Sequence, residues 1–75
     1  MVSLMSLARS VGCVDLRVDI SPARGGVQYE IGLNVKEQLF YVIGCREKVD
    51  EVLLEGLVDE LRQDMVESGV EFKEV

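Results

Sequence analysis

Two cysteines and a series of helical carboxylates are the residues whose types best suit chemistry in this 75-residue chain, which has no histidine. Cys13 and Cys45 offer a disulfide, a pair of metal ligands or a nucleophile. A bridge needs Cα atoms within ~7 Å. In the order of elements derived below, Cys13 opens the first strand and Cys45 closes the third. At about 3.3 Å per residue they stand ~20 Å apart, at opposite ends of a sheet. An intramolecular disulfide is therefore not expected. Two thiols without histidine also fall short of a zinc set unless carboxylates or a second chain complete it. Both cysteines read instead as small buried apolar residues. A nucleophile would need Lys, Glu or Asp as its base, and no Ser or Cys lies in a recognised nucleophile motif. No catalytic residue, metal or cofactor is expected, and the chain is read as non-enzymatic.

The carboxylates are more regular. Glu51, Glu55 and Asp59 recur every four residues, about 6 Å apart along a helix axis. Glu47 precedes them, and Asp64, Glu67, Glu71 and Glu74 follow. Like charges at this spacing cost a few tenths of a kcal/mol per pair. A solvated helix face explains them simply; the sharper reading is a ladder that docks on a basic surface. Arg24-Gly25-Gly26 is a lone tripeptide and suits a turn better than a phosphate cradle. Arg24 is nonetheless a cation at a loop tip, where contacts are often made.

One segment, Arg46 to Gly69, has the apolar period of a long amphipathic helix. Val49, Leu53, Leu57 and Leu61 form its stripe, with Leu54, Val58 and Met65 on the flank. The stripe covers roughly half the circumference, wider than one sheet contact requires. Glu51, Glu55, Asp59, Arg62 and Gln63 make the opposite face, interrupted by Val52 and Val66. Gly44, Cys45 and Arg46 supply no capping side chain at the start, whereas Ser68-Gly69 fits a left-handed end. Gly56 sits inside the helix at a cost of about 1 kcal/mol relative to Ala.

Two strands precede that helix with clean alternation. Val14, Leu16, Val18 and Ile20 share one face, against Asp15, Arg17 and Asp19 on the other. Ser21 to Gly26 reads as a turn through Pro22 and Gly25-Gly26. Val27, Tyr29, Ile31, Leu33 and Val35 then point one way, with Gln28, Glu30, Gly32 and Asn34 opposite. Lys36-Glu37-Gln38 reads as a second turn. In the third run, Leu39, Tyr41, Ile43 and Cys45 are expected on the core face, leaving Phe40 and Val42 as an apolar outer face that something covers. Leu4, Met5, Leu7 and Val11, with Val2, predict a short first helix capped by Ser3 and ended by Gly12. Val70–Val75 alternates weakly and reads either as a fourth strand or as a tail.

The order is α-β-β-β-α(-β): a single small α+β domain over 1–75, with a three-stranded antiparallel meander, one long and one short helix. Double-stranded-RNA-binding domains share this order. They carry a basic cluster at the start of the last helix, where this chain has only Arg46 and Lys48 before Asp50 and Glu51. The likeness is topological only.

Charge bounds the partners. Up to Cys45 four acids balance four bases, so the net charge of −6 arises in the helix and tail, where ten acids face four bases. That argues against phosphate binding, so no direct nucleic-acid binding is expected, and it suits a protein partner with a basic surface. Met1 to Ala8 lacks the basic region of a signal peptide, and no run approaches the ~18 apolar residues of a membrane span. A cytoplasmic location without membrane attachment is expected. No Trp and only four other aromatic residues leave a thin aliphatic core. With the wide stripe, this favours a homodimer through Phe40 and Val42, or Leu54 and Val58.

The expected function is a non-catalytic protein-interaction module that presents an acidic helix through Glu51, Glu55, Asp59 and Arg24. The first alternative is an inhibitor that blocks the nucleic-acid-binding groove of a host nuclease or similar protein. In size and charge the chain is similar to small acidic virus-encoded inhibitors of that kind, without a shared motif. The second alternative is a small-ligand sensor with its site at the sheet–helix seam near Tyr29 and Tyr41.

Overall fold

Ser3 caps helix α1, Leu4–Val11: its Oγ accepts from the Ser6 amide at 3.1 Å. The computed structural model describes residues 3–73, so Val2 of the expected first helix and Glu74 and Val75 of the tail lie outside it. Gly12 ends α1 at φ 67°, where the Gly12 amide donates to the Arg9 carbonyl and the Cys13 amide to the Ala8 carbonyl. This paired closure is a Schellman motif, and its left-handed residue suits glycine. Leu7, Ala8 and Val11 turn inward, while Met5 remains 54% exposed.

Strands β1 (Asp15–Ala23), β2 (Gly26–Val35) and β3 (Gln38–Arg46) follow as an antiparallel meander in spatial order β1-β2-β3. Ala23 pairs with Gly26, so the first turn contains only Arg24 and Gly25 and the strands run further than the Ser21–Gly26 turn expected from composition. Pro22 is accommodated because β1 is an edge strand. Central β2 alternates as expected, burying Tyr29, Ile31, Leu33 and Val35.

The second turn changes the reading of β3. Val35 pairs with Gln38, leaving Lys36 and Glu37 alone in the turn with φ 48° and 69°. Positive φ at both central residues marks the two-residue hairpin turn whose twist matches the strands. Gln38 is therefore the first residue of β3. Leu33 faces Phe40 and Ile31 faces Val42, so Phe40 and Val42 belong to the core. Leu39, Tyr41 and Ile43, expected there, are 61%, 54% and 54% exposed on the outer face, and Cys45 is exposed with them. The assignment of Phe40 and Val42 to an outward-facing dimer surface is corrected accordingly.

Helix α2, Glu51–Glu67, starts five residues after Arg46, where the expected segment began. Asp50 accepts from the Leu53 amide at 2.9 Å as its N-cap, because β3 claims the chain to Arg46. The C-terminal expectation holds: Gly69 takes φ 78°, with Gly69 donating to Val66 and Val70 to Met65. Residues 70–73 form no strand. The Lys73 amide donates to the Ser10 carbonyl, and Phe72 lies 5.8 Å from the Arg62 guanidinium.

Leu57, Val58, Leu61 and Met65 pack α2 over β3 and beside α1, joining Leu7, Val11 and the inner face of the sheet in one core. Helix α1 thus covers part of the wide stripe of α2. Coverage fades along β1: inward-facing Leu16 packs against the core, but Val18 and Ile20 stay 48% and 50% exposed.

Two glycines test this packing with opposite signs. A Cβ at Gly44 would stand 2.7 Å from Cζ of buried Tyr29, whereas one at Gly56 would meet nothing within 4 Å. Gly44→Ala should destabilise by about 1–3 kcal/mol through displacement of the tyrosine ring. Gly56→Ala should stabilise by about 1 kcal/mol through helix propensity. Urea unfolding of both variants is the check; destabilisation by Gly56→Ala would mean that a neighbour closes on that turn.

Candidate protein-interaction site

The incomplete cover over β1 creates a groove. Leu4 from α1, Val18 and Ile20 from β1, and Leu54 and Val58 from α2 line about 320 Å³, with Ser3 at one end and Glu51 and Glu55 at the helix side. The local causes are separable. Strand alternation places Val18 and Ile20 on the inner face; the crossing of α2 over β3 leaves them without a helix above; and the four-residue spacing carries Glu51 and Glu55 up one side. Leu54 and Val58, expected as the helix flank and a dimer surface, lie in this groove, with Val58 already buried at 4% exposure. Apolar walls with two carboxylates beside them suit an amphipathic ligand bearing positive charge.

The three-acid ladder extends beyond this groove. Glu51, Glu55 and Asp59 are all exposed, but Asp59 borders a separate shallow depression with Arg62, Gln63, Val66 and Glu67. A helix advances about 100° per residue, so positions four apart drift around the axis. Arg24 occupies the tip of the β1–β2 turn, exposed and outside the groove lining. Sequence reasoning missed Leu4, Val18 and Ile20 as surface residues because their alternation and periodicity mark them as core.

The other candidate chemistries resolve differently. Both cysteines are free: Cys13 is half-buried with its thiol 3.0 Å from the Asp15 carbonyl oxygen, and Cys45 is exposed. Their reading as two buried residues is corrected, since the β3 register turns Cys45 outward. Tyr29 and Tyr41 lie on opposite faces of the sheet, Tyr29 at 4% exposure over Gly44 and Tyr41 at 54%. They do not line one seam, which removes the geometry of the proposed small-ligand site. Among the described residues no three His, Cys, Asp or Glu side chains cluster as a metal site, and no helix is long and apolar enough to cross a membrane.

No protein-family model, curated protein or solved structure matches the chain.

Proposed function

We propose that this chain is a non-catalytic protein-interaction module that receives a basic amphipathic segment of a protein partner between α2 and β1. The observation that carries this reading is the groove itself: Val18, Ile20 and Leu54 form an open apolar floor beside Glu51 and Glu55. An apolar stripe on the partner covers the floor, and its Lys or Arg residues meet the two carboxylates. Burial supplies affinity, while the carboxylates set orientation and speed encounter. The floor also separates this reading from inhibition by a charge ladder alone, in which screened carboxylates would carry the whole contact.

A synthetic Leu/Lys amphipathic helix is a suitable probe, followed by fluorescence anisotropy. Glu51→Lys/Glu55→Lys should weaken binding about tenfold at low salt, chiefly through slower association. Val18→Ser/Ile20→Ser should weaken it by a similar factor, and that loss should persist at high salt. Binding that responds to the charge reversals yet ignores the floor variants would contradict the groove and favour the charge-ladder inhibitor. Binding indifferent to both pairs would remove this site from the function.

A further inference from the structure

We propose that a second copy of this chain pairs with β3, edge to edge and antiparallel, joining two three-stranded sheets into one of six strands. The two sheet edges differ in chemistry. Strand β1 carries Asp15, Arg17 and Asp19 along its length, and Pro22 withholds one N–H from any added strand. Charges and proline of this kind keep sheet edges from pairing. Strand β3 has neither: from Gln38 to Cys45 it bears no charge and no proline, in a chain whose net charge is −6. Instead it exposes Leu39, Tyr41 and Ile43. A long uncharged edge with exposed apolar side chains is a template for strand addition.

Charge and register select a second copy as the occupant. Two copies of an acidic protein repel over most of their surfaces, and β3 is a nine-residue stretch whose only charge is Arg46. The two-residue turn makes Val35–Gln38 a hydrogen-bonded pair, and ladder alternation then directs the N–H and C=O groups of Leu39, Tyr41 and Ile43 away from β2. A two-fold axis at Val42 overlaps the whole strand with itself. It sets Tyr41 opposite Ile43 of the second copy and Leu39 opposite Cys45, with hydrogen-bonded Cα atoms about 5.5 Å apart. Those cross-strand pairs pack the apolar side chains of the outer face against their counterparts along the seam, and Arg46 meets Gln38 rather than a like charge.

Sedimentation equilibrium and amide hydrogen exchange on the full chain test the pairing. The wild type should sediment at twice the chain mass, and Tyr41→Lys/Ile43→Lys at the chain mass with unchanged far-ultraviolet circular dichroism. In the wild type, the Tyr41 and Ile43 amides should exchange about tenfold faster once dilution dissociates the dimer, a readout that needs no variant to fold. A wild type that remains a single chain at every soluble concentration overturns the proposal. A dimer that survives the double substitution also does so. So does a dimer whose Tyr41 and Ile43 amides are unaffected by dilution, the result expected if outer faces stack without strand pairing.

Discussion

Phe40→Lys should unfold the protein, whereas Tyr41→Lys, one residue along, should leave the subunit folded. Phe40 is 6% exposed opposite Leu33, which is 0% exposed. Removing a buried phenyl ring costs about 3–5 kcal/mol by itself. The substituted ammonium must then be buried without a partner, or leave by opening the sheet–helix contact. A chain of this length has about 4–11 kcal/mol of total stability, at the usual 0.05–0.15 kcal/mol per residue. The combined loss is comparable with all of it. Tyr41 lies on the outer face at 54% exposure, where substitutions ordinarily change stability by about 0.5 kcal/mol or less. Circular dichroism and urea titration, at matched low concentration, make the comparison. The opposite ranking would mean that the two faces of β3 are reversed.

Leu61→Ala is expected to cost about 2–5 kcal/mol. Leu61 and Met65 are both 0% exposed, one turn apart on the face of α2 that packs on the sheet, and Leu57 at 5% precedes them. Truncation removes apolar burial and leaves a cavity between a helix and a sheet that relax only in part. Val66→Ala is the control, because Val66 is 60% exposed on the same helix and should change stability by about 0.5 kcal/mol or less. The Leu61 variant should lower the urea midpoint with an unchanged slope, the signature of altered stability rather than altered compactness. Equal losses at positions 61 and 66 would contradict the helix orientation.

The contrast between β2 and β3 explains which parts of this fold are legible in residues alone. In β2, Gln28, Glu30, Gly32 and Asn34 alternate with the apolar set, so only one face can be buried. In β3 both sets are apolar, and side-chain type no longer chooses between them. Turn length chooses instead. A turn of Lys36-Glu37-Gln38 would pair Val35 with Leu39 and send Tyr41 and Ile43 inward; a turn of Lys36-Glu37 pairs Val35 with Gln38 and sends Phe40 and Val42 inward. One residue reverses the strand. Nothing local announces the shorter turn, since it places Lys and Glu, not Asn-Gly, at positive φ.

The same boundary explains the start of α2. The apolar period reaches back to Val49, so the helix reads as longer than it is, and Asp50 is passed over as the cap although Asp is a favoured residue there. At the other end Ser68-Gly69 is legible because glycine is the residue a left-handed position requires. The groove is the least legible feature. Leu4, Ile20 and Leu54 are distant in sequence, each carries the signature of a core residue, and only the path of α2 over β3 leaves Val18 and Ile20 of β1 uncovered. Glu51 and Glu55 are legible as members of a ladder with Asp59, but their apolar neighbours across the groove are not.

The most direct measurement is an amide chemical-shift titration of the labelled protein with the Leu/Lys amphipathic helix. The groove reading predicts that the largest changes fall on Leu4, Val18, Ile20, Glu51, Leu54 and Glu55, and that the Val18 and Ile20 changes persist when salt is raised. Changes confined to Asp59, Arg62 and Glu67, or changes along α2 that vanish with salt and never reach β1, would contradict it.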